Sequence, residues 1–221
     1  LPAVRRMRSR GPVWIVASHE DRDHAGGLVV LLERLPGVVA LVWGQGQLRS
    51  DLGIHLRVLA FIRNLEHFPL LEGDRVVVGE WKLKALWPRV ASCGERRSRN
   101  DCSLVLEASN ASNGRVLATG DIGKKVEREL VERRSIRPVD VLKIAHHGSK
   151  TSTSWDFLQA AQPEWVVGSN DSRRNHPHPS VRDRLNRLQL RPHWTSEKGT
   201  VSVTWNSEHH VSVQVQATAS R

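Results

Sequence analysis

What most limits the fold of this chain is a short apolar run that stops abruptly in metal-ligand chemistry. Val13-Trp14-Ile15-Val16-Ala17 reads as a buried strand, and Ser18-His19-Glu20-Asp21-Arg22-Asp23-His24-Ala25-Gly26-Gly27 follows at once. A loop leaving a strand end aims His19, Asp21, Asp23 and His24 at one point just past the sheet edge. Imidazole and carboxylate are the ligands that hydrolytic sites use for divalent metals. Gly26 and Gly27 let the backbone turn sharply beside such ions before a helix starts.

Two further apolar runs end in the same way. Leu117-Ala118-Thr119 leads into Gly120-Asp121, and a carboxylate at a strand end can bridge two cations because each oxygen binds one. Val141-Leu142-Lys143-Ile144-Ala145 leads into His146-His147-Gly148-Ser149. A fourth cluster, Asn175-His176-Pro177-His178-Pro179, precedes a helix. If the three strands share a sheet, their ends point the same way, and strand-terminal loops are where α/β folds place their sites. Together they describe a two-metal hydrolase.

The rest of the chain alternates strands and helices, the signature of an α/β layer architecture in one domain spanning residues 1–221. Leu28, Leu31, Leu32 and Leu35 recur at helical spacing, and Pro36-Gly37 stops that helix. Val38 to Trp43 is the next strand, and Leu48, Leu52, His55, Leu56 and Leu59 permit a helix after it. Arg75 to Trp87 reads as paired strands, with Trp81, Leu83, Ala85 and Trp87 alternating to one side. Ser103 to Glu107 and Arg115 to Thr119 are strands joined by a turn holding Asn110, Asn113 and Gly114. Helices are expected over Lys124–Arg134, Ser154–Ala161 and Pro179–Leu190, and strands over Val139–Ile144, Trp165–Ser169, Thr200–Trp205 and His210–Val215.

Composition excludes some classes. With 39% apolar and 25% charged residues the chain is globular rather than disordered, and no apolar run reaches the roughly 18–20 residues of a membrane span. It is therefore expected to be soluble when expressed alone. It opens on Leu1 rather than Met, as a piece of a longer protein would. The 33 Lys+Arg against 23 Asp+Glu give a net charge of +10, which attracts polyanions such as nucleic acid. Lys143, Lys150 and the loop carrying Arg96, Arg97 and Arg99 are candidate phosphate contacts. Cys93 and Cys102 either bridge a short loop or leave Cys102 packed as a small apolar residue in a strand.

The loop from Ser18 to Gly27 resembles the HxHxDH signature of the metallo-β-lactamase superfamily, and Asp21 in place of its middle His is similar to the ComEC-type DNA-internalisation competence proteins. Asn100-Asp101-Cys102-Ser103-Leu104-Val105-Leu106, Thr119-Gly120-Asp121, Leu142 to Ser152 and Asn175 to Pro179 resemble further motifs of that branch. The order and spacing hold from about Arg5 to Trp205. Glu20 stands where the branch commonly has Pro, and the superfamily's opening strands with their Asp-x-Gly-x-Gly segment have no counterpart.

The resemblance implies an αββα sandwich lacking its first strands, with an exposed sheet edge and the metals along one rim. It implies His19, Asp21, Asp23, His24 and Asp121 as metal ligands, Asp121 bridging, with either His146 or His147 completing the second site. Asp23 and His176 are the candidate catalytic residues, and Ser149, Lys150 and His176 the candidate substrate contacts. It also implies an extracytoplasmic nuclease domain attached to a channel in the plasma membrane, degrading one DNA strand as the other enters the cell. Two divalent ions are expected. Asp21 makes the first site oxygen-rich, which favours Mn²⁺, with Zn²⁺ the alternative. The same motifs also allow a hydrolase of a small molecule or an inactive DNA-binding remnant.

Overall fold

A computed structural model describes residues 11–90, 93, 98–112, 114–170, 176–205 and 211–216. In chain order the elements are β1 (Val13–Ala17), α1 (Arg22–Arg34), β2 (Val38–Gly44), α2 (Asp51–Ile62), β3 (Glu66–Leu70), β4 (Arg75–Val78), β5 (Trp81–Trp87), β6 (Val105–Asn110) and β7 (Arg115–Ala118). There follow α3 (Lys124–Glu132), β8 (Val141–Lys143), α4 (Trp155–Ala161), β9 (Trp165–Gly168), α5 (Pro179–Arg187), β10 (Pro192–Trp194), α6 (Thr195–Lys198), β11 (Thr200–Trp205) and β12 (Val211–Gln216). Single 3-10 turns cover Asn100–Cys102 and Ala145–Gly148.

Among the described residues the strands form two main sheets. The first has the order β1-β2-β3, all parallel, with β1 at its edge. The second has the order β10-β9-β8-β7-β6-β5-β4, parallel from β10 to β7 and antiparallel from β7 to β4. β11 and β12 pair as a separate hairpin.

Apolar burial sorts these elements into four layers. Leu32 of α1 and Leu56 of α2 pack with Ile15 and Leu41 on the outer face of the first sheet. Val126 and Leu130 of α3, Phe157 of α4 and Val181 and Leu185 of α5 cover the outer face of the second. Between the sheets lie Val42, Leu70, Ala85, Leu104 and Leu106, with Trp14, Phe68 and Leu83 against them. The order helix–sheet–sheet–helix is the αββα sandwich that the motifs implied.

Two sequence expectations are corrected, one open alternative is decided and one strand is added. The three ligand-bearing strands do not share one sheet: β7 and β8 are neighbours in the second, whereas β1 belongs to the first. Side chains along β5 do not alternate throughout, because the register with β6 slips between Ala85 and Trp87. Leu83 and Ala85 therefore face the other sheet, while Leu86 and Trp87 both join the helix-side core. Cys102 sits in a 3-10 turn rather than a strand, bonded to Cys93 with 5.5 Å between Cα atoms. Strand β3 was not foreseen, since its exposed Glu66 and His67 and its Pro69 hide an alternating pattern. Asn113 and His210 lie outside the described residues.

A buried charge holds the second helical layer to the ligand-bearing loops. The Glu127 side chain of α3 is fully buried and accepts hydrogen bonds from the Thr153 and Ser154 N–H groups. Arg184 of α5 donates to the carbonyls of Ser152 and Thr153 from the other side. One carboxylate and one guanidinium thus fix the turn entering α4. Burial raises the Glu127 pKa, against the hydrogen bonds from Ser154 and Thr153 and the charge of Arg184. Glu127→Ala would strand two N–H groups and remove a counter-charge near Arg184, at a cost on the order of 3 kcal/mol. Urea unfolding should show this, with Glu127→Gln losing less because it keeps an acceptor.

Candidate metal centre

Two backbone devices bring the ligand segments together. The Leu104 N–H donates to the Ser18 carbonyl at 2.8 Å, joining the end of β1 to the start of β6 across the two sheets. Gly120, at φ +52°, carries the chain from β7 into Asp121, and a Cβ there would lie 2.5 Å from the Ser103 Cβ and 3.1 Å from the Ser18 Cβ. Only glycine fits that crossing. The Ser103 hydroxyl then accepts from the Asp121 N–H at 3.1 Å.

Six side chains converge on the gap so formed. Asp121 is nearly fully buried and stands between three imidazoles. Its Oδ1 lies 3.2 Å from the His24 Nε2, and its Oδ2 lies 3.4 Å from the His147 Nε2 and 3.9 Å from the His19 Nε2. Asp21 reaches the His19 side, 3.8 Å from its Nε2, and Asp23 reaches the His147 side at 3.5 Å. Asp21 occupies the N-cap of α1 without capping it, and its carboxylate reaches the cluster through Oδ2 while Oδ1 faces Arg99. The donors of His19, His24 and Asp121 lie within 4.8 Å of one another, and so do those of Asp23, His24 and His147.

Neighbouring groups orient the imidazoles. The Ser18 hydroxyl lies 3.2 Å from the His19 Nδ1 and 3.3 Å from the His24 Nδ1, and its oxygen can accept from both. The His147 Nδ1 donates to the Ser169 carbonyl at 2.6 Å. With each Nδ1 turned outward to these groups, each Nε2 faces the cluster, where it offers a lone pair when unprotonated. The His24 and His147 Nε2 atoms are then only 3.0 Å apart, and the His19 Nε2 is buried without a hydrogen bond. Unprotonated, these nitrogens and the carboxylates around them form a donor set that fits a cation, which would take the place of the shared protons.

Electrostatics agree with that donor set. Burial opposes the charge on Asp121, but hydrogen bonds from His147 and His24 and the charges of His24 and Lys143 outweigh it and hold the carboxyl far below its usual range. His147 is raised by its hydrogen bond to Asp121. His19 is pushed down to about 4 by burial and by His24. The Lys143 ammonium lies 4.0 Å from the Asp121 Oδ1 and donates to the Gly120 carbonyl. Although 26% of its side chain is accessible, protein atoms crowd the ammonium and lower its pKa.

The paired histidines point apart. His146 (φ 49°, ψ 43°) and His147 (φ 55°, ψ 18°) are both left-handed, a conformation costing about 1–3 kcal/mol for each such residue. His147 enters the cluster. His146 faces an open cavity of about 860 Å³, with the Asn100 amide 3.4 Å from its Nε2 and the His176 ring centroid 6.3 Å from its own. Lys150 lines this cavity, whereas Ser149 is buried and bonded to Thr151. Arg99 lies 3.8 Å from Asp21, and Arg96, Arg97 and Asn175 fall outside the described residues.

Three residues that support the cluster, Ser18, Asn100 and Glu20, carry no ligand signal of their own in the sequence. Ser18 and Asn100 do stand within the motifs that carry the family resemblance, which is the signal available for them. The Glu20 carboxylate accepts from the Arg49 and Ser50 N–H groups at 2.7 Å each, tying the ligand loop to the start of α2.

No family model matches the chain. It is 29% identical over 195 residues to ComE operon protein 3 of Bacillus subtilis (strain 168), covering 87% of this chain and 24% of the relative. It is 31% identical over 199 residues to Recombination protein 2 of Haemophilus influenzae, covering 86% of this chain and 22% of the relative. The chain thus spans about a quarter of the length of these relatives. Among solved structures it is similar to CmlA, a diiron β-hydroxylase from Streptomyces venezuelae, with TM-score 0.54 and 16% identity over 80% of this chain and 41% of the other. That likeness concerns the fold alone.

The fold holds His19 in its neutral form, so this contribution to stability is complete above pH 6.5 and is lost as the pH falls towards 4. Titration of the metal-free protein by NMR should place the His19 midpoint near 4 rather than 6.5. A midpoint near 6.5 would mean that the ring is hydrated.

Proposed function

Because this chain has the metallo-β-lactamase fold and is related to the ComEC-type competence proteins, we propose that it is a metal-dependent phosphodiesterase cleaving DNA during uptake. The observation that carries this reading is the position of Asp121, whose carboxylate lies among His19, His24 and His147. His19, Asp21 and Asp121 would hold one divalent ion, and Asp23, His24, His147 and Asp121 the other. Mn²⁺ suits the oxygen-rich first set, and Zn²⁺ is the alternative. DNA is the substrate, and the channel portion of a longer membrane protein is the partner, with this domain on its extracytoplasmic side. Among the described residues no helix is long and apolar enough to cross a membrane.

A metal pair supplies Lewis acidity to the phosphoryl group and to the attacking water. The chain's own residues do the rest. Asp121 remains ionised and keeps the two ligand sets in register. Ser18 and the Ser169 carbonyl lock the imidazoles so that no rotation is needed during turnover. Asp23, the most exposed carboxylate of the cluster, can accept a proton from the incoming water. His146, beside Asn100, meets the substrate on the cavity side, and His176 lies beyond it to face charge on the phosphate.

Purified protein should degrade labelled DNA when Mn²⁺ or Zn²⁺ is supplied, and Asp121→Ala should lower the rate by at least ~10²-fold. Metal analysis separates the two histidines. His147→Ala should hold one ion instead of two, while His146→Ala holds two and turns over slowly. Two bound metals without DNA cleavage would sink the nuclease reading, and loss of metal in His146→Ala would reverse the assignment.

A further inference from the structure

The cavity beside the centre has an electrostatic character that metal ligation does not explain. It reaches Asp121 at one end, and Lys124, Lys125, Lys150 and Arg184 line it together with Asn100 and His146. Arg184 is committed to the carbonyls of Ser152 and Thr153. Lys143 and Arg99 elsewhere at the site each face a carboxylate. Among the described residues, Lys124, Lys125 and Lys150 lie within ion-pair distance of none. Asp101 also lines the cavity; its Oδ1 accepts from the Gly123 N–H at 2.9 Å, and its carboxylate lies beyond ion-pair distance of these three lysines.

The placement of two of these lysines opposes local helix physics. Lys124 and Lys125 are the first two residues of α3, at the positive end of its dipole, where cations destabilise a helix. Gly123 supplies no side-chain cap, and the acidic residue of the first turn, Glu127, is buried and bonded elsewhere. Three ammonium groups around one cavity, with no carboxylate within ion-pair distance of them among the described residues, make it favourable for an anion. A local rule broken beside a reaction centre marks a ligand.

We infer that this cavity binds a phosphate next to the scissile one, so that the chain selects a polynucleotide over an isolated phosphodiester. The inference rests on the phosphodiesterase reading and adds a direction to it. The strand leaves the metal centre past Asp121 and His146 and runs between the start of α3 and Lys150. A diester without a flanking phosphate reaches the centre but not the lysines.

The test compares wild type with Lys124→Gln/Lys125→Gln on a short DNA oligonucleotide and on bis(p-nitrophenyl) phosphate. The oligonucleotide KM should rise about tenfold, and the slope of log KM against log salt should flatten by ~0.7 for each phosphate that the variant no longer neutralises. The KM for the small diester should move less than twofold. The melting temperature should hold or rise, since the substitution removes cations from a helix start. Equal effects on both substrates, or none on either, would overturn the inference. Binding of a fluorescent oligonucleotide to metal-free protein gives an independent reading: the double variant should bind about tenfold more weakly. Unchanged binding refutes the cavity site even if no cleavage is seen, while weakened binding without cleavage by wild type refutes only the phosphodiesterase reading.

Discussion

The centre depends on a meeting of two sheets that have no strand in common. β1 brings His19 to His24 from a three-stranded parallel sheet, and β7 and β8 bring Asp121 and His147 from a seven-stranded one. An inter-sheet backbone bond, Leu104 N–H to Ser18 carbonyl, joins them beside the cluster. Gly120 lets β7 pass close enough to Ser103 and Ser18 for Asp121 to arrive between the imidazoles. Any side chain at that glycine would separate the halves and with them the ligands.

Crowded acceptors are held in place by groups outside the cluster. Ser18 and the Ser169 carbonyl fix ring orientations, and Lys143 offsets part of the charge on Asp121. Glu20 ties the ligand loop to α2, and Glu127 with Arg184 ties the later loop to α3 and α5. The surrounding shell therefore keeps the six side chains turned toward one point, and the left-handed His146 and His147 store backbone strain beside them.

The sequence makes much of this legible, for physical reasons that differ by segment. β1 and α1 announce themselves because an apolar run and a helical leucine stripe both end at turn residues. β3 is obscured because two of its outward positions are charged or titratable and one residue is Pro69. The slip in β5 leaves no trace, since Leu86 and Trp87 are both apolar and either face would accept them. Which of two adjacent histidines enters the cluster depends on backbone angles at both, and residue type does not encode those. The convergence of separate sheets was equally hidden, because strand ends reveal their chemistry but not their neighbours.

The segments that form the cluster also lie far apart along the chain, His24 and His147 being separated by 123 in sequence. No local fragment contains the centre, which exists only when the first strand, the bridging turn after β7 and the loop after β8 are all in their native places. A cation bound among them is consequently linked to global folding rather than to the fraying of one loop. Its free energy adds to the whole native state by mass action. Metal occupancy would then serve as a count of correctly folded molecules.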